Sequence, residues 1–167
     1  MIPLLLRIRT PRWNDLYTIP VGTVLIKGRH GLYSEMVGAM ASVELHFGCY
    51  SWASDPDTIH YCGSFSKDYA KDEFKTNLHG RMHNYLQNHR TYKSGVRNTN
   101  LMVFNNINSC LSETEVRFQY LEFESVEIGN DVVSYDDYCQ DPNLVKAVEQ
   151  LLISSYRRLG QCEWNRS

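Results

Sequence analysis

The chain has 167 residues, 43% of them hydrophobic and 22% charged, with a formal net charge of −2. That length and balance suit one globular domain with one core and exclude low-complexity, fibrous and disordered classes. No segment approaches the roughly 20 apolar residues of a membrane span, and the opening MIPLLLRIRTPRW lacks the basic region and cleavage site of a secretory leader, so a soluble cytoplasmic protein is expected.

In chain order, residues 1–42 form an N-terminal elaboration without a clear pattern. From Val43 to Tyr50 (VELHFGCY), imperfect alternation with aromatic and β-branched content favours a strand. Asp55-Pro56-Asp57 reads as a turn, because proline presets φ and aspartate bonds its own backbone. Thr58 to Cys62 is then the returning strand of a hairpin, ended by Gly63-Ser64. Between Thr76 and His89 the positions Leu78, Met82, Tyr85, Leu86 and His89 follow helical spacing, with Arg81 at the edge of the apolar face. An arginine there either snorkels at the surface or looks into a cleft.

The stretch 91–116 is read as an insertion. A third strand is expected over Val116–Phe123 (VRFQYLEF), and Gly129-Asn130-Asp131 marks a turn. Asp141-Pro142 is a strong helix start, with aspartate as N-cap and proline in the first turn; Val145, Val148, Leu152, Tyr156 and Leu159 form its apolar stripe and Gly160 its stop. Glu149 borders that stripe, so its carboxylate needs a partner, a metal or an arginine.

Charge is distributed unevenly. Residues 1–34 carry Arg7, Arg9, Arg12, Lys27 and Arg29 against Asp15 alone; Phe74–Ser112 has no acid, while residues 113–141 hold nine acids and only Arg117. Folded together, such stretches give a basic cleft with an acidic back, which suits a polyanion, or merely solvated faces that cancel. The five cysteines (Cys49, Cys62, Cys110, Cys139, Cys162) include no C-x2-C pair and read as buried free thiols. His46, His60 and His83 make no zinc-ligand spacing with them.

The most informative feature is an ordered pair of tripeptides, Gly48-Cys49-Tyr50 and Tyr61-Cys62-Gly63, separated by ten residues. With Arg81 and Tyr85 on the following helix, Glu149 on the late helix and Asn165 near the end, the pair resembles the core of the GIY-YIG nucleases over residues 43–165. The resemblance implies an α/β (α+β) fold with a small central antiparallel three-stranded sheet flanked by helices, and Mg²⁺- or Mn²⁺-dependent hydrolysis of DNA phosphodiester bonds with one ion per chain. Free-standing, restriction-type members are nearest in layout, with a homodimer as one way to cut both strands. The family's closing segment usually has a proline where this chain has Cys162 and Glu163.

On that resemblance, Glu149 holds the metal and Arg81 neutralises the scissile phosphate. Tyr50 is the preferred general base and Tyr61 orients the water, though the two are exchangeable. Tyr85 bonds the water or a phosphate oxygen, Asn165 fixes the backbone, and Tyr50, Tyr61, Arg81 and Glu149 line one cleft. The chemistry asks for this set: phosphodiester hydrolysis needs a positioned, deprotonated water and neutralised phosphoryl oxygens, and a phenol of pKa about 10 acts as a base only beside a cation. Lys67, Lys75, His83, Arg90, Lys93 and Arg97 are the candidate DNA contacts. The alternative is a catalytically silent module of the same fold that binds DNA or protein.

Overall fold

The computed structural model describes residues 5–26, 38, 39, 43, 47–55, 58–66, 78, 80, 81, 85 and 99–165. Among the described residues the strands are β1 (Leu6–Arg9), β2 (Arg12–Ile19), β3 (Gly48–Asp55), β4 (Thr58–Phe65), β5 (Val116–Glu122), β6 (Ser125–Ile128) and β7 (Asp131–Ser134), and the helices whose bounds are described are α1 (Thr99–Leu111), α2 (Tyr135–Tyr138) and α3 (Pro142–Arg158). The architecture is mixed α+β, with two antiparallel sheets ordered β1-β6-β7 and β2-β5-β3-β4.

The two sheets share a bent ribbon. β1 runs into β2 through Thr10, whose φ of 51° is the left-handed turn, and β5 runs into β6 through Phe123 and Glu124. Because β1 pairs β6 and β2 pairs β5, the ribbon folds at this corner, where the Glu124 amide donates to the Arg9 carbonyl at 3.1 Å.

Alternation along β3, β4 and β5 sends side chains to two cores. Tyr50, Trp52, Tyr61, Phe65 and Phe118 meet Leu78, Tyr85 and the α1 residues Val103, Phe104, Ile107 and Leu111. Cys49, Cys62 and Leu121 point the other way, toward Tyr138 and the α3 residues Val145, Val148 and Leu152. α3 starts as expected: Asp141 Oδ1 accepts from the amides of Asn143 and Leu144, both at 3.1 Å, with Pro142 behind it. It ends at Arg158, and Gly160 turns away with φ 75°.

Several expectations need correction. Among the described residues the sheet that holds the tyrosines has four strands, because β2, from the N-terminal stretch, pairs with β5. β3 begins at Gly48 and continues to Asp55, since Trp52 follows Tyr50 onto the same core face. β4 does not stop at Gly63-Ser64 but runs on to Phe65, which is fully buried. The stretch read as an insertion contains α1, whose buried Val103, Phe104, Ile107 and Leu111 keep helical spacing amid asparagines. Of the helix expected over Thr76–His89, Leu78, Gly80, Arg81 and Tyr85 are helical, and the rest lies outside the described residues.

The glycines of the two tripeptides have a common physical explanation. Gly48 pairs with Phe65 and Gly63 pairs with Tyr50 in the β3–β4 register, and each aromatic ring lies over its partner glycine. A Cβ on Gly48 would stand 2.7 Å from the Phe65 ring, and one on Gly63 would stand 2.3 Å from the Tyr50 hydroxyl oxygen. Glycine is required at both positions by close approach rather than by backbone angle.

Candidate active site

Tyr50 lies at the centre of the site. Its ring is fully buried, and its hydroxyl accepts a hydrogen bond from Arg81 Nε at 2.8 Å and shares another with the Tyr85 hydroxyl. The Tyr61 ring stands 6.2 Å from that of Tyr50 and 6.4 Å from that of Tyr85. The Arg81 guanidinium carbon lies 5.8 Å and 5.3 Å from the Tyr50 and Tyr85 ring centroids. Three phenols and one arginine, from β3, β4 and the helical residues 81 and 85, thus form one cluster.

The electrostatics of this cluster are mixed. Burial pushes the Tyr50 phenol well above its ordinary value, and the opposing pull of Arg81 does not offset it. Tyr85 is raised as well, again by burial first. Arg81 is held more firmly protonated by Tyr50 and then Tyr85. The Tyr61 hydroxyl makes no hydrogen bond among the described residues, whereas that of Tyr50 is bonded to both Arg81 and Tyr85.

Glu149 stands apart from this cluster. It is 8% exposed, and its Oε2 accepts from Ser64 Oγ at 2.5 Å and from Lys146 Nζ at 2.9 Å. Ser64 pairs with Cys49 in the ladder and shares its face, the one covered by α3. The carboxylate therefore approaches the sheet from the side opposite the tyrosine rings, which corrects the expectation of a single cleft lined by all four residues. Its partners are a lysine and a serine, where a metal or an arginine was expected. The two halves meet at the sheet's edge, because Gly63 lies under the Tyr50 hydroxyl and the next residue, Ser64, holds Glu149.

That edge is partly covered. The Cys162 amide donates to the Ile59 carbonyl at 2.8 Å, the Trp164 amide to the His60 carbonyl at 3.0 Å, and Asn165 clamps Cys62 by accepting from its amide and donating to its carbonyl, both at 2.8 Å. Asn165 thus fixes the backbone directly after Tyr61. Among the described residues this cover ends at Cys62, so β4 is left open where Gly63 and Ser64 follow.

Among the described residues no three His, Cys, Asp or Glu side chains gather as a metal cage. Glu149 offers one carboxylate, and its Oε1 has no partner among the described residues. A single carboxylate completed by waters and phosphate oxygens is an ordinary way to hold Mg²⁺. The Lys146 ammonium on Oε2 competes with such an ion.

The candidate DNA contacts Lys67, Lys75, His83, Arg90, Lys93 and Arg97 lie outside the described residues. Sequence reading passed over Ser64 and Lys146, although Ser64 directly follows the second tripeptide and Lys146 is three residues before Glu149 on one helix face. No helix among the described residues is long and apolar enough to cross a membrane. Comparison of the chain with protein-family models, with curated proteins and with solved structures returns no significant match.

Proposed function

We propose that this chain is a metal-dependent DNA endonuclease of the GIY-YIG type, similar in activity to the restriction enzymes of that family. The observation that carries the reading is the hydrogen bond from Arg81 Nε to the Tyr50 hydroxyl, with Tyr61 and Tyr85 around it. Separate elements bring together the phenols and the arginine that the ordered motifs imply, and Asn165 clamps the strand between the two halves of the site.

In this reading a scissile phosphate sits at the edge of β4 that is open among the described residues, beside Gly63 and the Tyr50 hydroxyl that lies over it. Arg81 neutralises the phosphoryl oxygens as charge builds up on them. Tyr61, whose hydroxyl makes no hydrogen bond among the described residues, positions or deprotonates the attacking water, while Tyr50 holds Arg81 in place. This allocation moves the base role from Tyr50, preferred on the resemblance, to Tyr61. Glu149 would hold one Mg²⁺ or Mn²⁺, which when bound supplies charge that stabilises the transition state and acidifies water.

Four exposed large hydrophobics, Leu5, Val21, Val24 and Ile26, fall in the N-terminal elaboration, which supports a homodimer through that region. The test is conversion of supercoiled plasmid to nicked and linear forms in Mg²⁺ and in EDTA. Metal-dependent conversion that is lost in Arg81→Ala is expected.

A second reading, a catalytically silent module that binds DNA or protein, is favoured by one observation. Glu149 is already neutralised by Lys146 on the face away from the tyrosines. DNA retention without cleavage at any Mg²⁺ or Mn²⁺ concentration would select it.

A further inference from the structure

At the far end of the β3–β4 hairpin the ladder is interrupted twice. Trp52 pairs with Tyr61, Ala53 with Ile59 and Asp55 with Thr58, so His60 is skipped on β4 and Ser54 on β3. Bulges of this kind re-aim side chains, and these two aim at each other. Ser54 Oγ is hydrogen-bonded to His60 Nε2, and His60 Nδ1 to Glu163 Oε1.

The order of this chain is chemically directed. Glu163, as a carboxylate, only accepts, so Nδ1 carries the ring proton and Nε2 of the neutral ring accepts from the serine O–H. The ring is held in plane by Trp164, which stacks on it at 4.6 Å and 14°. Trp164 is itself anchored through its amide to the His60 carbonyl. Nucleophile, base and base-orienting acid thus follow the hydrogen-bond order of a serine-type triad. Ser54 is 6% exposed, and the Glu163 side chain is 51% exposed.

We infer that Ser54, His60 and Glu163 form a serine-type nucleophilic site, distinct from the tyrosine and arginine cluster, that takes small activated carboxylic esters. In the forward step Ser54 Oγ bonds to the acyl carbon, its proton passes to His60 Nε2, and the carbon–oxygen bond to the leaving group breaks as that oxygen takes the proton. Water, deprotonated by His60, then releases the acid and restores the serine. Glu163 is a positioning residue that keeps the proton on Nδ1.

Diisopropyl fluorophosphate is the probe: Ser54 Oγ attacks phosphorus, fluoride leaves and His60 takes the proton. Peptide mapping of the treated folded protein should place one adduct on Ser54. The adduct should be absent in Ser54→Ala and should form at least about tenfold more slowly in Glu163→Gln. Hydrolysis of p-nitrophenyl acetate should fall in both variants, whose cooperative thermal melts report that they still fold. Because Glu163 is half exposed, Glu163→Gln carries the test even where a change at His60 prevents folding. No adduct on Ser54, or labelling equally fast in Glu163→Gln, would overturn the inference and leave the three residues as a latch for the C-terminal segment.

Discussion

Tyr50 lies across Gly63, its register partner on β4, so closely that a Cβ there would stand 2.3 Å from the phenolic oxygen and 2.4 Å from the ring carbon that bears it. The second tripeptide's glycine is therefore a space requirement set by the first tripeptide's tyrosine. Neither residue has its place without the other.

Gly63→Ala should displace the Tyr50 hydroxyl from Arg81 and overpack the core around the fully buried Tyr50 ring. A loss of about 1–3 kcal/mol of stability is expected, measured by urea unfolding. Gly129→Ala, at an open turn with φ 60°, strains the backbone without touching the site, so it serves as the comparison. Plasmid cleavage should be lost in the first variant and retained in the second.

Arg81→Lys keeps the positive charge but not the planar donor that reaches Tyr50 at 2.8 Å. Cleavage should fall about 10²-fold or more, while affinity for a DNA duplex changes little. Single-turnover kinetics separate the two. Equal loss of binding and cleavage would place Arg81 in ground-state DNA contact only.

Lys146 competes with any cation for Glu149 Oε2, at 2.9 Å. Lys146→Met should lower the Mg²⁺ concentration needed for half-maximal cleavage, read from a metal titration at fixed ionic strength. A higher requirement would mean that the lysine assists the site.

Alkaline pH should unfold the protein. Tyr50, Tyr85 and Tyr138 are all raised above the ordinary phenol value of 10.0, chiefly by burial. The sign follows from linkage: above pH 10 the unfolded phenols lose protons that the folded ones keep, so the stability these groups contribute is full below pH 10 and declines above it. Absorbance at 295 nm against pH should show exposed tyrosines titrating first and the buried set appearing only with loss of the circular dichroism signal.

The parts of the fold legible in the sequence were those marked by local chemistry. Asp141-Pro142 announced α3, Gly129-Asn130-Asp131 the β6–β7 turn, and the tripeptides the hairpin. What could not be read was set by partners distant in sequence. β2 becomes a strand by pairing with β5, about a hundred residues later, and α1 hides its apolar face among asparagines. The position of Glu149 was misjudged for a similar reason. Helix periodicity placed it beside the buried stripe, but which face of the sheet that stripe covers depends on Cys49 and Cys62 packing against Val145 and Val148. Ser54, His60 and Glu163 meet only because two bulges realign the hairpin, and no local pattern reports that.

The central claim is tested most directly by Glu149→Gln, which keeps the shape of the side chain and removes its charge. Cleavage of a supercoiled plasmid in Mg²⁺ and affinity for a DNA duplex are measured on the same preparations of both proteins. The account predicts cleavage by the unaltered chain that falls by several orders of magnitude in Glu149→Gln while affinity stays similar or rises. A Glu149→Gln protein that cuts as fast as the unaltered chain would contradict it.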